Sequence, residues 1–272
     1  MWVVSQCDAM DTDELEDALS ILDRADVLAC CRDRAHTRRA IVDHTNRSRA
    51  TVYRTTTELS ERGMLAETAD GFVTTDAGAV MVAAAERAID AKRSIDNLGP
   101  LLDRIDSPEL AANAHLLADA EVVVASETNP YAPADRAMEL WQQSARVRVV
   151  TTATGSREAI VEGTKLMVES DITVDLLYTS TLLEAFRTVA PELLEETIAA
   201  PNVQMRVTET LPFSFAVHDD VGSVTATEET GAPIAIAMSR TPSARAWLEG
   251  LFEECWSRST PVTESTEDSC AT

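Results

Sequence analysis

The stretch HTNRSRATVYRTTTEL, residues 44–59, is basic in a chain that is otherwise strongly acidic. It carries Arg47, Arg49 and Arg54 against a single acid, Glu58. Residues 32–62 together hold eight arginines and four acids, a charge of +4, whereas the whole chain has a formal charge of −23. Such a local reversal of charge predicts a surface for an anionic partner.

The spacing of apolar and capping residues predicts two helices around this stretch. A short helix over 36–45, capped by Thr37, is followed by a tight turn and a longer helix that begins after Ser48 and ends at Gly63. The inner face of the longer helix is predicted to consist of Val52, Thr55, Thr56 and Leu59. We also predict one helix over 12–31 upstream, and a hairpin of two short strands downstream, where Asp70-Gly71 gives the turn.

A helix, a short helix, a tight turn, a longer helix and a hairpin are the elements of a winged helix-turn-helix, in that order. The run SRATVYRTTTELSERGMLAETADGFVTTDAGAVM, residues 48–81, also resembles the winged-helix half of archaeal transcription regulators. The similarity covers about residues 36–80. It implies DNA binding and transcription regulation.

The outward face of the longer helix suits contact with double-stranded DNA. A recognition helix presents its N-terminal residues to base edges in the major groove, and the planar fork of arginine pairs with guanine. The preceding helix suits phosphate contact. The predicted DNA-binding residues are Arg38, Arg39, Arg47, Ser48, Arg49, Thr51, Tyr53, Arg54 and Thr57. The predicted wing tip, ETADG, has no lysine or arginine, so minor-groove insertion by the wing is not expected.

The composition is typical of a halophilic protein that works in molar salt. There are 46 acids against 23 basic residues, only two of which are lysines, and aromatic residues make up 4%. Carboxylates keep a surface hydrated where salt screens charge within about 3 Å. Phosphate contacts lose affinity steeply in such salt, so base-edge hydrogen bonds and apolar contacts must carry more of the binding. An ordinary acidic mesophilic protein is the alternative.

A heptad seam follows the hairpin. Apolar residues at spacings of three and four predict a linker helix, broken at Gly99-Pro100. The resemblance to archaeal regulators implies that this helix forms a dimer interface. The seam consists of Met81, Ala84, Ala88, Ala91, Ile95 and Leu98. The alternative is that this seam packs on its own DNA-binding domain.

The second half alternates predicted strands with predicted helices, which indicates an α/β domain with a mixed sheet. Strands are predicted at 120–126, 147–153, 172–179, 203–209, 213–219, 221–227 and 233–239, and helices at 134–144, 155–169, 181–199 and 241–257. The predicted fold class is therefore an α+β winged helix-turn-helix domain, a linker helix and an α/β mixed-sheet domain. The predicted domains are 12–76 for DNA binding, 77–105 for the linker, 106–258 for an effector domain and 259–272 for a disordered tail.

The second half lacks the phosphate-binding, nucleophile and zinc-protease motifs of common enzymes. The stretch FAVHDDVGSVTATEETGAPIAIAMSRTPSARAWLEGLFEECW, residues 215–256, resembles the end of the effector domain in TrmB-type and methanogenesis-regulator-type archaeal transcription factors. That fold resembles phospholipase D without its chemistry. The phospholipase motif would place a lysine two residues after the histidine, but Asp219 and Asp220 follow His218. A sensor or oligomerising domain is expected rather than an enzyme; a phospholipase-like hydrolase is a rival prediction.

Ligands of open α/β sheets sit beyond the carboxyl ends of strands. The predicted effector-binding residues are Tyr131, Thr152, Thr154, Arg157, Tyr178 and His218. No cofactor is predicted, and no metal, because the five cysteines form no C-x-x-C pair.

The start of the chain predicts no signal peptide and no run predicts a membrane span, so a cytoplasmic location without a membrane partner is expected. The predicted partners are double-stranded DNA, a second copy of the chain and a small-molecule effector. A winged-helix module that binds the transcription machinery instead of DNA is the other alternative.

Overall fold

The computed structural model describes residues 11–153, 157–228 and 230–262. The chain divides after Ile89 into two compact units, which are considered separately. No helix within the described ranges combines the length and the apolar character that crossing a bilayer requires.

The first unit is built from short helices and one hairpin. Its elements are α1 (Thr12–Leu22), α2 (Ala25–Cys30), α3 (Arg38–Thr45), α4 (Arg49–Glu61), β1 (Leu65–Thr68) and β2 (Gly71–Thr74), followed by α5 (Asp76–Leu102), which continues beyond the unit. Strands β1 and β2 pair antiparallel, with Leu65 opposite Thr74. From α3 to β2 the element order agrees with the prediction, and so do the caps, since Thr37 accepts from Ala40 N and Ser48 accepts from Thr51 N.

The core of the first unit joins all of these helices to the hairpin. Val27, Leu28, Ile41, Val52 and Phe72 are almost fully buried in one cluster. The predicted inner face of α4 is confirmed, because its buried residues are Val52, Thr55, Thr56 and Leu59.

The single helix predicted over 12–31 is wrong, because the chain breaks between α1 and α2. Arg24 lies at the break. Its guanidinium reaches back to Ser20 Oγ at 2.6 Å and forms an ion pair with Glu58 of α4 at 3.2 Å. The break therefore depends on a contact with a distant helix, which apolar spacing alone does not reveal.

The predicted break of the linker helix at Gly99-Pro100 is also wrong, since α5 continues through Pro100 to Leu102. A proline removes one helical hydrogen bond and normally bends or ends the helix. Here Leu98 and Leu101, on either side of it, are both 1% exposed in the core of the second unit. Their burial offsets the loss of that bond.

The second unit is a large mixed sheet covered by helices. Its helices are α6 (Pro108–Asn113), α7 (Ala132–Gln142), α8 (Arg157–Glu169), α9 (Ser180–Val189), α10 (Pro191–Ala199) and α11 (Pro242–Ser257), with a 3₁₀ turn at Ala114–Leu117. Its strands are β3 (Glu121–Val124), β4 (Arg146–Thr151), β5 (Thr173–Thr179), β6 (Val203–Thr208), β7 (Ser214–His218), β8 (Val221–Thr227), β9 (Pro233–Ser239) and β10 (Thr260–Pro261).

The sheet has the order β10-β6-β5-β4-β7-β8-β9-β3. Strands β4, β5 and β6 run parallel to one another, and the other pairs are antiparallel. All seven predicted strands are present, and the prediction of a mixed sheet is confirmed.

Two further predictions fail in this unit. The helix expected over 181–199 splits into α9 and α10 at Ala190, which has φ −152° and ψ 65°. Pro191 follows it, and the residue before a proline is pushed out of the helical region. The tail expected to be disordered from 259 instead pairs Thr260 and Pro261 with β6; residues 263–272 lie outside the described ranges.

Alternate side chains of the sheet enter two separate cores. Phe215 and Val217 of β7 pack with the end of α5, α6 and α11 on one face. Ala216 packs with residues of α8, α9 and α10 on the other face. The period of two along β7 therefore places Ser214 and His218, which share the parity of Ala216, under the α7–α8 side of the sheet.

Candidate nucleic-acid interface and ligand pocket

The N-terminal half of α4 presents a basic and aromatic surface to solvent. Arg49 and Arg54 are exposed, and Tyr53 is 61% exposed. Thr51 and Thr57 lie at the margins of this face; their hydroxyls are engaged with Ser48 Oγ at 2.8 Å and with Tyr53 O at 3.0 Å. The hydroxyls of these two threonines therefore have partners within the helix and its cap.

Arg38 of α3 is held between two aromatic rings. Its guanidinium carbon lies 4.7 Å from the ring centroid of Tyr53 and 4.7 Å from that of Phe72. Its Nε donates to Thr56 Oγ1 at 3.0 Å. Arg38 thus connects α3, α4 and the hairpin and orients the Tyr53 ring. The sequence had predicted that Arg38 is free to contact a phosphate.

Arg47, in the turn between α3 and α4, is also engaged within the protein. Its Nε donates to Asp26 at 2.7 Å, and it contacts the side chain of Asp23 at 3.5 Å. The hydrogen bond to Asp26 raises the pKa of Arg47 above its usual range. This pairing anchors the turn to the α1–α2 region and argues against a DNA contact by Arg47.

The remaining arginines of this surface are not neutralised. Within the described ranges, Arg39, Arg49 and Arg54 form no ion pair with a carboxylate, whereas Arg32 and Arg62 do. In a chain with twice as many acids as bases, three exposed and unpaired guanidiniums on two adjacent helices form a local positive surface. We call Arg39, Arg49, Tyr53 and Arg54 the basic face.

A cavity of about 310 Å³ lies in the second unit between the sheet and helices α7 and α8. Trp141 and Met138 of α7, Leu166 of α8 and Ile236 of β9 give it an apolar wall. None of the described residues that line it is charged.

His218 is a polar side chain in the wall of this cavity. It is 2% exposed, and its Nδ1 has no hydrogen-bond partner among the described residues. Its Nε2 lies 3.3 Å from Ser223 Oγ, and its ring meets Trp141 edge to face at a centroid distance of 6.2 Å. Burial lowers the pKa of His218 to about 4. The imidazole is therefore neutral at pH 7 and is poorly suited to bind a phosphate group.

The two acids that follow His218, Asp219 and Asp220, form the turn between β7 and β8. Asp219, at φ 39°, accepts from Ala145 N at 2.8 Å and from Arg146 N at 2.9 Å. Asp220 forms an exposed ion pair with Arg240 at 2.7 Å. Both carboxylates are therefore occupied by structural contacts.

The structure brings together only part of the predicted effector set. Tyr178, 7% exposed, and His218 both line the cavity, and Thr152 donates its N–H to Ser214 Oγ, another lining residue, at 3.0 Å. Tyr131 is 71% exposed and does not line the cavity. Arg157 instead binds Val189 O at 3.0 Å and Glu192 at 2.8 Å, while Thr154 lies outside the described residues.

Sequence reasoning missed most of the polar wall. Ser223, Thr225 and Thr227 alternate along β8 and all line the cavity, as does Ser214 of β7. The signal was available, because small hydroxyl residues at every second position of a strand covered by helices indicate a polar strip inside the domain. Trp141 could not be found this way, since its position depends on how α7 packs.

Comparison with known proteins identifies two regions of the chain. Residues 130–258 match the family model described as the middle domain of the methanogenesis regulatory protein FilR1. Residues 12–96 match the model described as the HVO_A0261 N-terminal domain. The first match confirms the predicted resemblance of the second half to the domain of a methanogenesis regulator. A search of the curated proteins finds no match.

Solved structures with weak similarity to the chain include the following three. TrmBL2, an archaeal chromatin protein, is 11% identical, with 93% of this chain and 100% of that chain covered and a TM-score of 0.39. The phospholipase D family member Nuc from Salmonella typhimurium is 11% identical over 53% of this chain and 99% of that chain, with a TM-score of 0.40. Phosphatidylserine synthase from Haemophilus influenzae is 9% identical over 53% of this chain and 39% of that chain, also with a TM-score of 0.40. TM-scores at this level support no conclusion about this chain.

Proposed function

We propose that the protein is a transcription regulator that binds double-stranded DNA in a sequence-specific manner. Its first unit acts as a winged helix-turn-helix, with α4 as the recognition helix. The basic face carries this proposal, because Arg49 and Arg54 are exposed and lack carboxylate partners within the described ranges, in a chain with a formal charge of −23. The match of residues 130–258 to a regulator's domain supports it.

Each residue of the basic face has a distinct role in this proposal. Arg49 and Arg54 pair with guanine edges in the major groove. Tyr53, whose orientation is fixed by Arg38 at 4.7 Å, makes apolar contact with bases. Arg39, at the start of α3, contacts a phosphate.

The test is fluorescence-anisotropy binding to the protein's own upstream DNA in molar KCl, with Arg54→Ala beside the wild type. A lost bidentate guanine contact costs about 1–3 kcal/mol, so affinity for the preferred site should fall about 5- to 150-fold and selectivity over random DNA should decrease.

Arg104→Ala is the matched control, since Arg104 is exposed and unpaired within the described ranges but lies outside the basic face. It removes the same charge and should leave selectivity unchanged. If the two variants lose affinity equally, only bulk charge is involved. If the wild type binds no DNA selectively, at its own promoter or across a random library, a protein-interaction role for the first unit is favoured instead.

We further propose that two copies of the chain associate through α5. The heptad seam is exposed over its central part: Ala88 and Ala91 are exposed and Ile95 is 66% exposed. An apolar stripe of this kind on a long helix suits pairing with a second copy of the same helix.

The second unit is proposed to sense a small, uncharged molecule in its 310 Å³ cavity. This volume lies at the lower end of the range for ligand sites, and an apolar wall with few polar groups is typical of them. A charged ligand would enter an apolar space without a described counter-charge, which is strongly unfavourable. Binding there would favour one arrangement of the second unit and so change how the two recognition helices are spaced.

A further inference from the structure

Three side chains of the first unit converge in a way that the DNA-binding proposal does not use. Cys30, His36 and His44 each offer one ligand atom, and these atoms all lie within 4.8 Å of one another. Cys30 is the last residue of α2, His36 lies in the segment before α3, and His44 is in the last turn of α3. Residues six and eight positions apart in sequence are brought to one point by the packing of α2 on α3.

Backbone carbonyls hold both imidazole rings in the form that binds metals. His44 Nδ1 lies 2.8 Å from Ala40 O, and His36 Nδ1 lies 3.1 Å from Arg34 O. A carbonyl can only accept, so each Nδ1 carries the proton and each Nε2 keeps its lone pair free. Metal-binding histidines are typically fixed by this type of hydrogen bond.

The backbone of His36 is fixed as well. The backbone N–H of His36 donates to Phe72 O, and the backbone N–H of Phe72 donates to His36 O, both at 2.9 Å. Gly71, at φ 129°, makes this approach possible, because a Cβ there would lie 2.4 Å from His36 O. The imidazole rings of His36 and His44 meet edge to face at a centroid distance of 5.2 Å. The site is thus supported by α2, α3 and the hairpin.

We propose that Cys30 Sγ, His36 Nε2 and His44 Nε2 bind a zinc-class divalent ion, with water at the fourth position. One thiolate and two imidazoles are ligands that zinc prefers. A bound ion would bring the ligand atoms to about 3.5 Å from one another, given Zn–S and Zn–N distances of about 2.3 and 2.0 Å.

The surroundings agree with this assignment. The three residues open onto a surface cavity that Asp26 and Asp33 also line. Asp26 is occupied by Arg47 at 2.7 Å, whereas Asp33 forms no ion pair within the described ranges. Arg34 lines the same cavity and offsets the negative charge of Asp33, and the open side leaves room for water.

Sequence reasoning predicted no metal because it required cysteines two residues apart. The present ligands have the pattern Cys-x₅-His-x₇-His, which spans a helix end, a link and a whole helix. Only the contact between α2 and α3 reveals it.

The test uses Co²⁺ as a spectroscopic probe for the full-length, metal-stripped protein in molar KCl with a reductant. Tetrahedral Co²⁺ absorbs strongly in the visible range, and a thiolate ligand adds a charge-transfer band that surface carboxylates cannot produce. We expect one Co²⁺ per chain with both features, displaced by Zn²⁺. Cys30→Ser should abolish the charge-transfer band. His44→Gln removes a ligand, so it should weaken binding by more than the about 10- to 100-fold that loss of an outer-shell partner costs.

His115→Gln is the matched control, because His115 lies in the second unit, and it should leave the spectrum and the affinity unchanged. His44 is exposed, so the His44→Gln variant should fold and keeps the test valid even if Cys30→Ser does not. A wild type that gives only the weak spectrum of octahedral Co²⁺, or a tetrahedral spectrum unaltered by His44→Gln, would overturn the proposal. These readouts involve no DNA, so they are independent of the proposed function.

Discussion

His218 has an unusual environment for an ionisable residue, since it is 2% exposed and its pKa is lowered to about 4 mainly by burial. In the unfolded chain its pKa is about 6.5. Folding therefore favours the neutral ring, and this contribution is fully present above pH 6.5. It is lost progressively as the pH falls from 6.5 through 4, because the unfolded state then binds the proton more strongly.

We predict that His218→Gln removes this pH dependence. When the pH is lowered from 7 to 5, the free energy of unfolding of the wild type should fall by about 2 kcal/mol more than that of the variant. Urea denaturation at both pH values measures this difference, and His115→Gln should behave like the wild type. Equal pH dependence in wild type and His218→Gln would show that His218 is not buried as a neutral ring.

A second residue-scale prediction concerns Gly163, which lies inside α8 and lines the cavity. A Cβ at this position would meet no atom within 4 Å, and the same holds for Gly250 in α11. Alanine is favoured over glycine inside helices by about 0.5–1 kcal/mol. Both Gly163→Ala and Gly250→Ala should therefore raise the unfolding free energy by about this amount in urea denaturation.

Substitution by leucine should have different effects at the two glycines. Gly163→Leu should fill part of the cavity, whereas Gly250→Leu should not affect it. Saturation-transfer NMR with benzyl alcohol and benzoate provides the readout: the neutral probe should bind the wild type and the Gly250→Leu variant but not Gly163→Leu. Preferential binding of benzoate would contradict the inference that the ligand is uncharged.

Residues that lie on one helix face were predictable from the sequence, whereas partners distant in sequence were not. The exposure of Arg49 and Arg54 follows from their helical phase relative to Val52 and Leu59. Arg157 was predicted to bind an effector, yet its partner is Glu192, which lies 35 residues further along the chain. Such pairings depend on packing, so they cannot be inferred from spacing.

At the scale of elements, α5 carries the association proposal. Ile95 lies in the exposed part of its seam, whereas Ile89, 53% exposed, lies on a different side of the helix. Ile95→Glu should place like charges at the interface and convert the dimer to a monomer in light scattering. Affinity for DNA should fall as well, because two half-sites are no longer bound together.

Ile89→Glu serves as the control for this change, since it adds the same charge to the same helix away from the seam. It should leave the mass unchanged. A wild type that is monomeric in molar KCl, or a dimer that persists in Ile95→Glu, would remove α5 from the proposal.

The elements also show why some boundaries could be predicted and others could not. The seven strands of the second unit follow from runs of β-branched residues between turn signals. The α1–α2 break depends on the contact of Arg24 with Glu58, and the continuation of α5 through Pro100 depends on the burial of Leu98 and Leu101. Local patterns give the type of an element, but tertiary contacts decide where it begins and ends.

At the scale of the whole molecule, charge is distributed by role. Outside residues 32–62 the chain sums to −27, which keeps the surface hydrated in salt. The basic segment is further divided by the fold, since Arg47 and Arg62 bind carboxylates while Arg49 and Arg54 stay free of them within the described ranges. The contrast between the basic segment and the acidic rest of the chain was predictable from the sequence. The distinction between paired and unpaired arginines required the structure.

The two edges of the large sheet have a consequence for aggregation. An open sheet edge is a template on which further strands can add, and molar salt screens the repulsion that would keep acidic molecules apart. One edge here is β10, where Pro261 has no N–H to donate. The other is β3, only four residues long, whose Glu121 is paired with Arg136 at 3.3 Å. Both ends of the sheet therefore resist fibre growth by backbone geometry, through a missing donor at one edge and a short strand at the other, and this protection remains when electrostatic repulsion is weak.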